Sequence, residues 1–518
     1  MSSSSIILPN TKDSSTGSIL GQCILQFLVT AENTARLPPP GIARIFFLFG
    51  VMVWNAYAII DTLFPFVDNW TASTDPDSSS LSEAQKAERF SFLLYVVWNT
   101  MRSTFLPALP DLAVTKIPIV VTTPPNAFYA AIQSSNLFAT YVAQRNNDGY
   151  TNANNPNYDY PNKGYYIKVY QDSTGKIPQN LLTDIPSPNT WCPLEVHYIG
   201  GAVTKQKPVL PLFDQVLNWF SKDQTTEMLG IATKMYPAQG GNAFILQERD
   251  FVNIQSNLSD PEKVYAEVWA GTEPNTTTPP SKTFIIIAAI LMSNSSNLGT
   301  KECVAMFSGT TFSVFHAGIA AWLVKYYPAF MQPRPIQVLR RDYRSNIITN
   351  PVTGSLIQGG FWTPYQQYEP TSPGGSVTPG FPDYVSGHST FTNAASVFFQ
   401  LLTGTNNVSV SSQYMIDPVV FLHPFARMFR SVTQPCTWSN IGVPPFSSKT
   451  DPECPLSHVN MNWNQWTAIA NQAGYSRISG GIHWSQSNFV GLQLGEWVAL
   501  QMMKSIDWPS LKLDYSSL

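Results

Sequence analysis

Charge is scarce in this chain. Lys, Arg, Asp and Glu make up 12% of its 518 residues, about half the usual share. The formal net charge of −3 leaves no basic surface of the kind that general nucleic-acid binding requires. A local basic pocket is still compatible with it, because net charge averages over the whole surface. Cysteine is sparse as well. Cys23, Cys192, Cys303, Cys436 and Cys454 contain no CxxC pair and no metal-ligand spacing, which excludes a disulfide framework. Cys436 and Cys454 bracket one loop and could pair. The stretch from Met1 to Gly17 is Ser-rich and lacks the basic and apolar regions of a classical secretory signal, so a soluble protein of unassigned compartment is expected. Ile42 to Ile60 is long enough to span a bilayer. It contains Arg44 and Asn55, however, and Asp61 follows it. Such residues are costly in lipid, so a buried core helix is expected and no membrane span. Phe284 to Met292 is too short to span.

What is present is apolar and aromatic. Hydrophobic residues reach 44% and aromatics 13%, with 41 prolines. This suits a large packed core interrupted by long Pro- and Asn-rich loops. Apolar stretches predict helices over Ala43–Leu63, Ser82–Phe105, Asn126–Gln144, Leu212–Phe220, Gln224–Met235, Asp260–Ala270, Lys282–Leu291, Lys301–Tyr327, Gly387–Thr403, Asn462–Ile478 and Trp484–Ile506. Loops are expected over Asn146–Pro211, Pro328–Asp383 and Asn406–Asn460, with a short hairpin at Tyr165–Asp172 and a strand at Asn407–Ser411. The expected class is mainly α with few short strands. Residues 43–61 and 305–324 are both long apolar helices with small residues near their C-terminal ends. Either two related bundles or the general likeness of buried helices accounts for this. The expected organisation is an N-terminal extension (1–37), an N-terminal helical bundle with a long loop (38–240) and a C-terminal helical bundle carrying the site (241–518).

Three segments of the second half hold the candidate chemistry. "WLVKYYPAFMQPRP" carries Lys325 and Arg334; taken alone it reads as a helix end followed by a loop. "PDYVSGHSTF" (382–391) opens a helix with Ser386 as N-cap, Gly387 allowing close backbone approach, and His388 at the rim. The free N–H groups of such a first turn, with the helix dipole, attract an anion. "YSRISGGIHWSQSN" (475–488) carries Arg477 and His483. On one continuous helix these would point about 120° apart, but Gly480–Gly481 can break the helix and turn both toward one point. Each segment has a plainer reading as ordinary helix ends. Together they supply three cations, two imidazoles, a hydroxyl and a helix N-terminus, the set that a dianionic tetrahedral ligand needs.

These segments resemble the Lys…Arg-Pro, Ser-Gly-His and Ser-Arg…His signatures of the vanadium-dependent haloperoxidases and the type-2 phosphatidic acid phosphatases. "VWAGTEPNTTTPPSKT" (268–283), "HAGIAAWLVKYY" (316–327) and "PPPGIARIFFLFGVMVWNAYAIID" (38–61) extend the resemblance. It implies a pair of helical bundles with vanadate in one of them, and neither haem nor nucleotide. His483 would be the axial vanadium ligand. Lys325, Arg334, Ser386, Gly387 and Arg477 would bind the equatorial oxygens. His388 would be the acid–base residue, with Lys325 and His483 completing the catalytic set. Trp322 and Phe381 would line the halide side. The implied partners are hydrogen peroxide, a halide and a small organic acceptor, on a monomer or homodimer. The alternative on the same scaffold is an acid phosphatase with a phospho-histidine at His483.

Two departures stand out. The Lys325–Arg334 gap is one or two residues longer than the family pattern. Ser487 stands four residues after His483, where an Asp is common. The second departure weakens a nucleophilic histidine more than a metal-ligating one. No carboxylate partner for Arg477 is evident; Glu267 and Glu273 are the candidates.

Overall fold

The computed structural model describes residues 15–68, 74–115, 117–119, 126–134, 137–170, 185–197, 203–237, 240–269, 279–293, 297–351, 354–366, 378–410 and 463–516. The architecture is mainly α, with only short strands, as expected. Two long apolar helices form its axis. Pro39–Ile60 begins with prolines in its first turn, where a missing N–H costs nothing. Thr300–Tyr326 runs beside it. Both are long and apolar enough to cross a membrane, yet both are wholly buried in the packed body. Their contact is intimate: Ser308 Oγ donates to the Gly50 carbonyl at 2.8 Å, and Phe47 stacks on Phe315 at 4.3 Å. Phe46 stacks on Phe284 at 4.0 Å, which brings in the helix Pro279–Ser293. One hydrophobic cluster extends from Ile19 to Tyr515, so the segments on either side of residue 240 share a core.

Glu83–Thr104 and Lys222–Met235 each start with a reciprocal capping box, Ser82 with Gln85 and Ser221 with Gln224. Helices beyond the expected ones include Thr16–Val29, inside the expected extension, and Asn242–Ser256. The helix expected over Leu212–Phe220 shrinks to a single turn, Phe213–Gln215. Distant acceptors take its N–H groups instead: Leu212 donates to Ala153, Leu217 to Asp148, and Trp219 to the His316 ring. The region expected as one helix over Asn126–Gln144 contains two, Ala127–Ser134 and Ala139–Asn146.

The strand signal at Tyr165 is real, but its pairing differs. Ile167–Tyr170 pairs in parallel with Leu194–His197, which pairs antiparallel with Val203–Lys205. Within the expected loop Pro328–Asp383 lie the helix Pro335–Asp342 and a hairpin of Ile347–Thr349 with Leu356–Gln358. Asn407–Val410 pairs with Trp463–Gln465. Cys23, Cys192 and Cys303 are free and buried, whereas Cys436 and Cys454 lie outside the described residues. A smaller core containing Phe251, Ile336, Trp362 and Trp484 sits where the strand layer meets the C-terminal helices. It supports the corner that carries His483.

Candidate functional site

The helix Gly387–Thr403 enters the site with its N-terminus. Ser386 is its N-cap, and the Ser386 hydroxyl accepts from the Ser389 N–H at 3.4 Å. The C-terminal helix Ser485–Lys504 packs against it closely because it presents no side chain at two positions. A Cβ at Gly491 would stand 2.8 Å from the Ser386 carbonyl, and one at Gly495 would stand 2.5 Å from the Thr390 carbonyl. The Ser386 N–H donates to Ser487 at 2.9 Å, which ties the N-cap to the first turn of the neighbouring helix.

Arg477 and His483 are brought round by a true helix break. Trp466–Ser479 ends at Gly480, and Gly481 takes the left-handed conformation at φ 78°. The Ile482 and His483 N–H groups both turn back to the Arg477 carbonyl, at 3.1 and 3.3 Å. Gln255, on the helix missed in the sequence, donates to the Ile478 and Ser479 carbonyls at 2.8 and 3.0 Å. It satisfies the helix end that the glycines leave open. The Trp484 indole N–H donates to Pro333 at 3.0 Å and fastens this corner to the Arg334 loop.

Arg334 is fully buried and central. Its Nε donates to Phe381 at 2.9 Å, and its Nη1 donates to Ile482 at 2.7 Å and to His483 Nε2 at 3.0 Å. Its Nη2 has no hydrogen-bond partner among the described residues. Lys325, also buried, donates to the Pro382 and Asp383 carbonyls at 3.0 and 3.1 Å. The longer Lys325–Arg334 spacing therefore still delivers both side chains to one loop, 381–383. The Phe381 ring lies between the two cations, 4.8 Å from Lys325 Nζ and 4.9 Å from Arg334 Cζ. It also packs on Trp322 at 5.1 Å.

Arg477 has neutral partners: the Ser476 hydroxyl, the Gln366 side-chain carbonyl and the Ala266 carbonyl. Of the carboxylates considered for it, Glu273 and the side chain of Glu267 lie outside the described residues. The His388 Nε2–H donates to the Trp269 carbonyl at 2.6 Å, because a carbonyl can only accept. Among the described residues no three His, Cys, Asp or Glu side chains cluster as a self-sufficient metal site.

The electrostatics follow from burial. Desolvation, then the Arg334, Lys325, His388 and Arg477 charges, holds His483 well below the ordinary imidazole range. Desolvation pulls Arg334 down to about 10 and Arg477 to about 9, so both stay charged at neutral pH. Lys325 is driven well below its usual value by burial and by Arg334, with Asp383 opposing.

A carboxylate missed in the sequence stands in the middle of this set. Asp383 Oδ1 lies 3.0 Å from His483 Nδ1 and 3.7 Å from Arg334 Nη1. Its Oδ2 accepts from Ser487. Burial pushes Asp383 up to about 6, against the pull of Arg334, Ser487 and Lys325. The signal was available: a charged residue, in a chain with few, three positions before Ser386. The expectation looked for an acid only at position 487. The structure thus removes one ground for preferring a metal-ligating to a nucleophilic His483, since a carboxylate does accompany the ring.

A family model described as the VCPO second helical-bundle domain matches residues 305–507, the stretch that contains Lys325, Arg334, Asp383, Ser386, His388, Arg477 and His483. A holo-type bacterial vanadium-dependent chloroperoxidase superposes with a TM-score of 0.61 at 16% identity, over 93% of this chain and 94% of that one. Its apo-type counterpart gives 0.60 at 15%, over 93% and 97%. The fold of this chain is like that of these vanadium-dependent chloroperoxidases. A structure described as the first bacterial vanadium-dependent iodoperoxidase gives 0.56 at 15% identity, over 96% and 98%. No curated protein matches the sequence. At such identities the likeness establishes this fold along nearly the whole chain.

The donor set fits a tetrahedral oxyanion. Arg334 Nη2 is an orphaned buried donor, and leaving such a group unpaired costs free energy. A histidine lone pair, two lasting cations and a helix N-terminus stand with it, as a vanadate or phosphate would require.

Proposed function

We propose that the protein is a vanadate-dependent haloperoxidase, oxidising halide with hydrogen peroxide to a hypohalous acid equivalent that halogenates organic acceptors. The observation that carries this reading is His483 Nε2. It is buried, it faces Arg334 Nη1 at 3.0 Å, and a guanidinium can only donate. The nitrogen therefore presents a lone pair, in a cluster of cations. The whole-length likeness to vanadium-dependent chloroperoxidases and an iodoperoxidase supports the choice of cofactor.

His483 would be the single protein ligand to vanadium. Arg334, Arg477, Lys325, Ser386 and the Gly387 N–H would hold the oxygens. Bound vanadate would supply the Lewis acid that activates peroxide toward halide. Arg334 and Arg477 would neutralise its charge with donors already held in place. An anion beside Lys325 favours its ammonium form and gives the site a third charged donor. His388 would move a proton to or from peroxide. Trp322 and Phe381 pack on each other beside Lys325, on the side from which halide would approach.

The specific observation that favours a second reading is the Asp383–His483 contact. It would equally activate His483 as a nucleophile in an acid phosphatase. One assay separates the two. The protein is loaded with orthovanadate and given peroxide, bromide and a phenolic dye, alongside p-nitrophenyl phosphate without vanadate. Dye bromination that requires vanadate is expected. Phosphate release without any bromination between mildly acidic and neutral pH would establish the phosphatase instead.

A further inference from the structure

We propose that Asp383 is the positioning residue of His483. Its carboxylate holds the proton on Nδ1 and so leaves Nε2 the lone-pair nitrogen, which accepts from Arg334 in this structure and would meet the oxyanion when one binds. This rests on the reading of Nε2 as the atom that meets the oxyanion.

The tautomer follows from partners on both sides of the ring. Arg334 Nη1, 3.0 Å from Nε2, has only hydrogens to offer. Nε2 is therefore unprotonated, and the proton of the neutral ring sits on Nδ1. Facing Nδ1 at 3.0 Å is Asp383 Oδ1, an acceptor. The contact lies off the ideal N–H direction, and neither atom has another hydrogen-bond partner among the described residues. Hydrogen bonds of this kind are often misaligned before a ligand binds and tighten when it does. The opposite tautomer would aim an N–H at the Arg334 guanidinium and leave a lone pair against a carboxylate, two repulsions in a buried place.

The carboxylate is itself anchored, as a positioning group must be. Ser487, in the first turn of the helix that follows His483, donates to Oδ2. The Asp383 N–H donates to Gln332 at 3.0 Å, and its carbonyl accepts from Lys325 at 3.1 Å. Asp383 thus arrives from the loop that also bears Ser386, yet it is clasped by the segment that bears His483. It fixes the ring and joins the two halves of the site.

The test uses the full-length protein with histidine labelled in ¹⁵N, His483→Gln serving to assign the signal. His483 is expected as the Nδ1–H tautomer in wild type; an Nε2–H tautomer would overturn the proposal directly. In Asp383→Asn, which preserves shape, the tautomer signal should become mixed. Orthovanadate affinity by calorimetry should fall roughly 10–100-fold, the usual effect of removing such a partner. Inorganic phosphate is the second probe. In Asp383→Ala with Ser487→Asp, a carboxylate returns from the other side of the same contact. That protein should recover most of the affinity and the single tautomer, which a loss of mere packing would not allow. Wild-type affinity and an unchanged tautomer in a folded Asp383→Asn protein would sink the idea. A wild type that binds neither probe would instead sink the oxyanion reading, while the ¹⁵N signal still decides the role of Asp383.

Discussion

The two nitrogens of His483 have opposite surroundings, a guanidinium at Nε2 and a carboxylate at Nδ1. Arg334 is what makes that geometry hold, since one side chain reaches Phe381, Ile482 and His483 together. A lysine has neither the planar fork nor the reach in two directions. Arg334→Lys should therefore abolish detectable vanadate binding. It should also lower stability by about 1–3 kcal/mol, as buried carbonyls lose their donor; calorimetric titration and urea unfolding would check both. His483→Ala should remain folded and lose bromination, and a variant that brominated like wild type would refute the site assignment. Glu248 offers a separate prediction away from the site. Burial and the nearby Asp342 push its carboxyl up to about 7, with Arg341 opposing. The native state then holds a proton that the unfolded chain releases near the ordinary value of 4.5. Stability is therefore lost as pH rises from about 4.5 to 7. Glu248→Gln should stabilise the protein at pH 8 by on the order of 1 kcal/mol, after discounting for solvent screening. The gain should vanish below pH 4.5, as thermal unfolding at the two pH values would show.

At the scale of elements, the site is a meeting of one helix N-terminus and one helix break. The break depends on Gly481. A Cβ there would stand 2.7 Å from both Pro364 and Gln255, at a φ of 78°. Gly481→Ala should cost about 1–3 kcal/mol from backbone strain alone. It should also weaken orthovanadate binding at least tenfold by swinging His483 away from Arg477. Unaltered affinity in that variant would show that the corner does not position the ring. The helix start over Gly387 was legible because a cap residue, a glycine and an apolar run are local signals. The corner's reinforcement by Gln255 was not. It requires Asn242–Ser256 to be a helix, and that segment is polar enough to hide its buried face of Phe244, Gln247, Glu248, Phe251 and Gln255.

The molecule as a whole is organised around buried helices that would pass for membrane spans by composition. Pro39–Ile60 and Thr300–Tyr326 bury each other, and the ring contact of Phe46 with Phe284 carries the same core across residue 240. Heat or urea should therefore unfold the chain in one transition, with near-ultraviolet and far-ultraviolet signals coinciding. Two separated transitions would mean that the halves are independently stable. Several of the few charges are paired inside: Arg44 with Asp148, Arg145 with Asp68, and the cluster about Arg334.

The sequence by itself determined the helical class, the buried fate of its apolar runs, and the segments holding Lys325, Arg334, Ser386, His388, Arg477 and His483. Each of those rests on local pattern: apolar length, a capping residue, a pair of glycines, charge in a chain that has little. What only the tertiary structure decided were the relations across segments. These include the loop 381–383 joining Lys325 to Arg334, the neutral partners of Arg477, the parallel pairing of Ile167–Tyr170, and the collapse of the Leu212–Phe220 helix onto distant acceptors. Chief among them is Asp383 beside His483. The two lie a hundred residues apart, and Gly491 and Gly495 let the helices next to them pack backbone to backbone.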